Sequence, residues 1–195
     1  MTRKNTTERK QEIVNAVLVL IAELGIQGVT MARIADKVGI TEAALYRHFE
    51  SKLGIIGATI DVAFDQLLEA LENSAASGTA SEMLKSVLIA HLDFIEKRPG
   101  MARILFSDEV HFNSLALQEK LARRGALVAS HVAGLLREGV STGELDTDLD
   151  VKSATVLYRG IVQAQVMLWA HSNKTVGLVE SVDGVWKLYK KAIGG

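Results

Sequence analysis

Apolar residues recur every three or four positions along most of the chain, the spacing that gathers side chains on one face of an α-helix. The alternation of apolar and polar residues that is typical of strands is scarce. The pattern therefore predicts an all-α fold. The predicted helices cover about residues 7–24, 31–38, 42–47, 52–73, 81–97, 114–140, 151–171 and 175–191, with a short apolar segment at 101–106.

Small and capping residues separate these segments. Thr30, Thr41 and Ser51 each stand immediately before a predicted helix, where a side-chain oxygen can accept from free backbone N–H groups. The run of small residues at 73–80 predicts a linker, and Pro99 predicts an interruption. The acidic loop at 141–150 lacks the glycine and closing glutamate of a calcium loop, so we expect a solvated loop that caps the next helix.

The N-terminus resembles a signal peptide, because basic residues precede an apolar run. Glu8 and Glu12 interrupt the basic segment, Asn15 interrupts the apolar one, and no small-x-small cleavage site follows. The apolar residues also keep a helical period. We therefore expect a soluble cytoplasmic protein with no membrane partner.

Two short predicted helices are joined by a tight turn around Gly39, which is the pattern of a helix-turn-helix. Glycine adopts a positive φ without steric cost. We expect apolar residues to hold the two helices against the first one; these are Ile34, Ala35, Val38, Ile40, Leu45 and Phe49. The opposite side then carries Thr41, Glu42, Ala44, Arg47 and His48. Taken alone, this pattern also fits an ordinary helical hairpin.

The stretch GVTMARIADKVGITEAALYRHFESK, residues 28–52, resembles the DNA-binding segment of the tetracycline-repressor (TetR) family of bacterial transcriptional regulators. The resemblance covers about residues 7–56. It implies a homodimeric repressor whose C-terminal domain binds a small molecule and then releases operator DNA. It also implies phosphate contacts from Thr30, Tyr46, His48 and Lys52, and positions at or near base edges for Arg33, Thr41, Glu42, Ala44 and Arg47.

The charge distribution agrees with a DNA-binding N-terminal region. The chain has a net charge of -1, but residues 1–55 hold 8 Lys+Arg against 6 Asp+Glu, which leaves the remainder at -3. Four basic residues, Arg3, Lys4, Arg9 and Lys10, form an N-terminal segment that can track phosphates, enter the minor groove or have no role. The chain contains no cysteine, which excludes disulfides, Cys-ligated metals and a thiol nucleophile.

The last two predicted helices carry large apolar surfaces; in the final helix these residues form one stripe, Val179, Val182, Trp186 and Tyr189. Residues 154–170 contain one charged residue, Arg159. A helix that is apolar nearly all round must be buried on more than one side. We therefore expect residues 151–171 and 175–191 to pair with their symmetry mates in a homodimer, which would bind a palindromic operator.

The remaining apolar surface suggests a pocket for an apolar or amphipathic effector. The candidate lining residues are Phe64, Leu68, His91, Met101, Leu105, His131 and Met167. His91 and His131 are either hydrogen-bonded core histidines or polar anchors in that pocket. We expect no metal site, because no two histidines lie three or four residues apart.

The sequence thus predicts a helix-turn-helix DNA-binding domain at 1–52, joined by a long helix to a helical effector-binding and dimerisation domain at 53–195. It shows no catalytic constellation, so we expect neither enzymatic activity nor a cofactor. Two alternatives remain: a DNA-binding protein without an effector, acting as an architectural factor or an activator, and a helical enzyme with a site around His91 and His131.

Overall fold

The computed structural model describes residues 6–172 and 177–194, and it describes side chains from residue 8 onward. Within these residues the chain is helical and contains no strand, which confirms the all-α prediction. The helices are α1 (Thr6–Gly28), α2 (Met31–Val38), α3 (Glu42–Tyr46), α4 (Lys52–Ser74), α5 (Ala80–Glu96), α6 (Pro99–Leu105), α7 (Asp108–His111), α8 (Leu115–Thr142), α9 (Val151–His171) and α10 (Val182–Ala192), with a 3-10 helix at Val179–Ser181.

Several boundaries differ from the sequence prediction. Helix α1 continues past the predicted stop, with a kink at Gly25, whose φ is 72°. Pro99 begins α6 rather than interrupting the chain, because proline fits the first helical turn, where N–H groups have no intrahelical partner. Helix α7 was not predicted; the Ser107 side chain caps it by accepting from the Glu109 N–H at 3.2 Å. The last helix begins at Val182, and the predicted start at 175 lies outside the described residues.

The chain forms two compact units. The first comprises the described part of Met1–Asp65 together with Arg98–Arg124, and the second comprises Gln66–Lys97 with the described part of Gly125–Gly195. These units divide the chain by packing, whereas the predicted boundary between residues 52 and 53 divides it by function. That boundary stays a prediction.

In the first unit, α1 packs against α2 and α6. Ile13, Val17 and Ile21 are fully buried there. Gly100 lies directly on the α1 backbone, because a Cβ at that position would be 2.2 Å from the carbonyl oxygen of Leu18. In the described part of the chain one segment, Glu8–Gly28 of α1, is long and apolar enough to cross a membrane, but its apolar face fills this core.

A half-buried ion-pair network also lies in the first unit, between α4 and α8. Asp61 accepts from Lys120 and, at 2.8 Å, from Arg124, which also donates to Asp65 at 2.7 Å. Burial alone would raise the pKa of Asp61. The hydrogen bonds and charges of Lys120 and Arg124 outweigh burial and hold that pKa below its usual value.

The second unit is built around α5, α9 and α10. Its large buried side chains include Tyr158, Trp169, Trp186 and Tyr189. The Tyr189 hydroxyl donates to the carbonyl oxygen of Ala154 at 3.0 Å. Asp150 caps α9 by accepting from two backbone N–H groups, which confirms the capping predicted for the acidic loop.

Candidate DNA-binding surface

The backbone of residues 30–41 has the geometry of a helix-turn-helix. The Thr30 side chain caps α2 by accepting from the Arg33 N–H at 3.2 Å. Gly39 then adopts the left-handed conformation (φ 73°, ψ 39°), and the Ile40 N–H donates to the Ala35 carbonyl at 2.9 Å. Thr41 caps α3 by accepting from the Ala44 N–H at 3.1 Å. Each of these bonds joins residues three to five positions apart, so the motif can be recognised from the local sequence.

Apolar residues hold the motif to the rest of the first unit. Ile34 and Leu45 are fully buried, and Ala35 and Phe49 are nearly so. Val38 and Ile40, which flank the turn, are only half-buried. The short α3 is therefore fixed by Leu45 and Phe49, which leaves its other side open to solvent.

The residues predicted to contact DNA all retain solvent exposure. Tyr46 is 51% exposed. The exposed members are Thr30, Arg33, Thr41, Glu42, Tyr46 and Arg47, and the half-buried members are Ala44, His48 and Lys52. Thr41, Glu42, Ala44, Tyr46, Arg47 and His48 belong to α3 or adjoin its ends. One short helix thus presents hydroxyl, carboxylate, guanidinium and imidazole groups, which are the types that read base edges and phosphates.

Two of the predicted DNA-binding cations are held by the end of α1. Arg33 Nη1 donates to the Gly28 carbonyl at 2.5 Å, and Lys52 Nζ donates to the Gln27 carbonyl at 3.5 Å. The carbonyl end of a helix carries partial negative charge, so it attracts cations. Both side chains are thereby oriented in the absence of DNA.

The predicted N-terminal basic segment is only partly described, because Arg3 and Lys4 lie outside the described residues. Arg9 lies within α1 and pairs with Glu12 at 2.7 Å. Lys10 Nζ lies 5.9 Å from the centre of the Phe49 ring, within the range of a cation–π contact. These two side chains therefore have partners within the first unit, and a role for the segment in DNA binding stays a prediction.

Two family models match the chain. "Bacterial regulatory proteins, tetR family" matches residues 13–59, and "Tetracyclin repressor-like, C-terminal domain" matches residues 77–172. The chain belongs to the TetR family. This confirms the resemblance of residues 28–52 and makes this TetR-family protein a transcriptional regulator.

Among its relatives, a nucleoid occlusion factor, SlmA of Photobacterium profundum, is 28% identical, and the match covers 100% of both chains. The fatty acid metabolism regulator protein of Bacillus subtilis is 25% identical over 97% of this chain and 98% of that protein. The crystal structure of Bacillus subtilis FadR in complex with stearoyl-CoA has a TM-score of 0.85 and 25% identity, covering 94% of this chain and 98% of that one. By name these relatives are a nucleoid occlusion factor and regulators of fatty acid metabolism. TetR-family regulators bind DNA and small-molecule effectors, typically as dimers.

The predicted effector-binding residues divide between the two units of this TetR-family protein. Phe64 and Met101 are buried in the first unit, where Leu105 is half-buried. The second unit holds Leu68, His91, His131 and Met167, of which Met167 is exposed. An effector role for these seven residues stays a prediction.

The two histidines have different environments within the second unit. His91 Nδ1 lies 3.3 Å from the Tyr158 hydroxyl, so His91 has the neighbour expected of a core histidine. His131 Nε2 is buried and has no hydrogen-bond partner among the residues that the structure describes. Sequence reasoning missed Tyr158, because it lies 67 residues from His91 and no local motif marks the pair. The described residues contain no group of three or more acidic or histidine side chains that could hold a metal ion.

The α9 helix presents an exposed apolar face on the isolated chain. Its largest exposed members are Val156, Leu157, Met167 and Leu168. Gly160 lies on the same face, and a Cβ there would have no neighbour within 4 Å. On α10, Leu188 is 69% exposed. This face belongs to the two segments predicted to form the dimer.

Proposed function

We propose that this protein is a homodimeric repressor that binds a palindromic operator through α3 and is released by an apolar or amphipathic effector. The single observation that carries the proposal is the capped α2–turn–α3 motif. Leu45 and Phe49 bury one side of α3, and its other side presents polar residues to solvent. It acts in the cytoplasm, where bacterial DNA lies, and no catalytic step is part of its function.

The operator is testable by selection from random DNA with the full-length protein, followed by fluorescence anisotropy on the selected site. We expect an inverted repeat whose half-sites lie one helical turn or more apart, because a twofold dimer places its two recognition helices in successive major grooves. Tyr46→Ala is expected to lower operator affinity, and Leu127→Ala, at an exposed position of α8, serves as the control. Selection of a single asymmetric half-site would contradict the dimeric mode.

The exposed face of α9 supports pairing with a second copy. It combines large apolar side chains with Gly160, which allows close approach of two helices. Gly160→Glu would bury a charge in such an interface without disturbing the isolated chain, since a Cβ at that position would meet no atom of the described residues within 4 Å. Gly134→Glu on α8 is the matched control, because it is also exposed with no neighbour within 4 Å. By sedimentation velocity we expect the first variant to be monomeric and the second dimeric; two dimers would contradict this interface.

The effector class is supported by the apolar composition of the second unit and by the relative whose structure contains stearoyl-CoA. We infer that the effector carries a long acyl chain. Saturating long-chain acyl-CoA is expected to lower operator affinity by at least about tenfold, since release requires different affinities for the two conformations. Reporter expression that rises on deletion of the protein distinguishes a repressor from an activator.

A second candidate function is effector-independent DNA binding. It is favoured by the full-length match to a nucleoid occlusion factor. Operator affinity that stays constant in saturating acyl-CoA, together with many genomic sites of equal strength, would establish it over the effector-released repressor.

A further inference from the structure

We propose that Arg103 of α6 is a further phosphate-binding residue of the DNA-binding surface. With Arg33 of α2 and Lys52 of α4 it forms a cationic site at the end of α1 for a phosphodiester of the DNA backbone. Arg103 lies outside the helix-turn-helix, so no motif marks it. This inference rests on the proposed function, because it adds one backbone contact to DNA binding by the first unit.

Basic side chains from three helices meet at the last turn of α1, residues 25–28. Arg33 and Lys52 donate to carbonyl oxygens of this turn at 2.5 and 3.5 Å. The guanidinium of Arg103 lies against the backbone where the turn begins, since a Cβ at Gly25 would be 3.5 Å from its Nη1. The contacting parts of all four helices belong to the first unit, so three cations share one end of one helix.

The end of α1 attracts these cations without neutralising them. The carboxyl end of a helix carries about half an elementary negative charge, against three positive side chains. Glu23 is the acidic residue nearest to this turn in the sequence, and it pairs with Lys37 at 3.5 Å. The site therefore keeps a positive charge that a bound anion would complete.

The ion pairs of the first unit set Arg103 apart from other basic residues. Among the described residues, no carboxylate oxygen lies within 4 Å of the charged nitrogens of Arg33, Lys52 or Arg103. The three basic residues of α8 in the same unit all pair with carboxylates, as Arg123 does with Glu119 at 3.4 Å. Arg103 thus shares the unpaired state of two residues that are predicted to contact DNA.

The position of the site favours a DNA phosphate as the anion. Thr30, a predicted phosphate contact, caps α2 two residues after Gly28. The free N–H groups in the first turn of such a helix also favour an anion. Arg103 is exposed, so its guanidinium can reach a ligand. The guanidinium carries parallel N–H donors that match two oxygens of one phosphate.

The salt dependence of DNA binding measures the number of phosphate contacts. Full-length protein is titrated into a fluorescent random-sequence duplex at sodium chloride concentrations between about 50 and 200 mM. Each contact adds about 0.9 to the magnitude of the slope of log K against log salt concentration. We expect Arg103→Gln to weaken binding and to reduce that magnitude by about 0.9 per subunit. An unchanged slope would overturn the proposal.

Two further variants separate a phosphate contact from other roles of Arg103. Arg103→Lys keeps the charge and should retain the slope; a loss as large as that of Arg103→Gln would indicate a structural guanidinium and overturn the proposal. Arg123→Gln is the matched control, because it removes another exposed arginine of the same unit, and it should not change the slope. Equal reductions in Arg103→Gln and Arg123→Gln would reflect net charge alone and also overturn it. If Arg103→Gln is unfolded by circular dichroism, Arg103→Met takes its place with the same expected loss.

Two other measurements identify the anion and separate this failure from failure of the proposed function. If inorganic phosphate raises the melting temperature of wild type but not of Arg103→Gln, and the DNA slopes of the two are equal, the site takes free phosphate and the DNA contact is overturned. If selection from random DNA yields no operator, the proposed repressor fails, while the slope on the random-sequence duplex still decides the role of Arg103. If an operator is selected and Arg103→Gln keeps the wild-type slope on it, the repressor stands and the Arg103 contact fails.

Discussion

The helix-turn-helix and the interior of the second unit differ in the range of the contacts that form them. Residues 30–41 are shaped by bonds between positions three to five apart, such as Thr30 with Arg33 and Ala35 with Ile40. The His91–Tyr158 pair joins positions 67 residues apart. Local bonds leave recognisable sequence motifs, whereas distant pairs do not, so the helix-turn-helix of this chain is visible in its sequence and the His91–Tyr158 contact is not.

The largest expected effect tests a long-range contact in the first unit. Gly100→Ala places a Cβ against the Leu18 carbonyl oxygen, so the α1 and α6 backbones must separate. We expect the free energy of unfolding to fall by about 3 kcal/mol, at the upper end of overpacking effects. Chemical denaturation of full-length protein measures it.

Gly125→Ala on α8 is the matched control, since its Cβ would have no neighbour within 4 Å. It should leave stability unchanged or raise it by up to about 1 kcal/mol, because alanine favours helix more than glycine does. Equal stabilities of the two variants would show that α1 and α6 do not pack this closely in solution.

The next effect separates the two units by their titration. In the unfolded chain the pKa of His91 is near its usual value of 6.5, whereas burial lowers this pKa to about 4 in the folded chain. Stability is therefore complete above pH 6.5 and falls with decreasing pH until His91 is protonated in the folded state too. We expect His91 to account for a loss of about 2 kcal/mol between pH 7 and 5, measured as the difference in pH slope between wild type and His91→Gln.

Asp61→Asn is the comparison in the first unit. In the folded wild type the pKa of Asp61 lies below its usual value of 3.8. The stability that Asp61 contributes is therefore present at neutral pH and is lost only as the pH falls below about 4. Identical pH slopes for wild type and His91→Gln between pH 7 and 5 would contradict the burial of His91.

A smaller effect concerns DNA recognition by α3. Arg47→Ala removes an exposed guanidinium at the end of this helix and should weaken operator binding about tenfold, or about 1.4 kcal/mol. Anisotropy titration on the selected operator measures it. Arg137→Ala, at an exposed position of α8 in the second unit, should leave affinity unchanged. A loss of the same size in both variants would indicate general electrostatics rather than recognition by α3.

The smallest effect compares two tyrosines. Tyr189→Phe leaves the buried Ala154 carbonyl without the hydroxyl that donates to it, and should lower the free energy of unfolding by about 1 kcal/mol. Tyr46→Phe, at an exposed position, should not change stability. Thermal unfolding followed by circular dichroism compares them, and equal melting temperatures for the two variants would place the Tyr189 hydroxyl in solvent.

The sequence predicted what local physics determines. It identified α2 at its observed bounds, the left-handed Gly39 and both threonine caps, because each depends on residues within one turn. It predicted that Pro99 interrupts the chain, whereas Pro99 begins α6. A proline in a loop and a proline at the start of a helix have the same local sequence signal, and only the packing of α6 distinguishes them. It missed α7, whose four residues are too few for a period. It also missed the contact of Gly100 with Leu18 and the Asp61 network, because these depend on how distant helices meet.

The solvent exposure of the predicted DNA-binding residues was easier to foresee than the His91–Tyr158 contact, for the same reason. Leu45 is the buried residue of α3, and helical periodicity then places the polar residues between Thr41 and His48 on the exposed side. Tyr158 instead lies in a nearly uniform apolar segment, where no spacing marks the one hydroxyl that approaches His91.

The attachment of Arg33 and Lys52 to the carbonyl end of α1 has a consequence for the thermodynamics of binding. Long cationic side chains lose rotamer freedom when they engage DNA, and each such loss opposes association. Here the bonds to Gly28 and Gln27 restrict that freedom in the unbound protein. For the DNA contacts predicted for these two side chains, part of the ordering entropy is thus lost during folding, which would leave less of it to be lost at the operator.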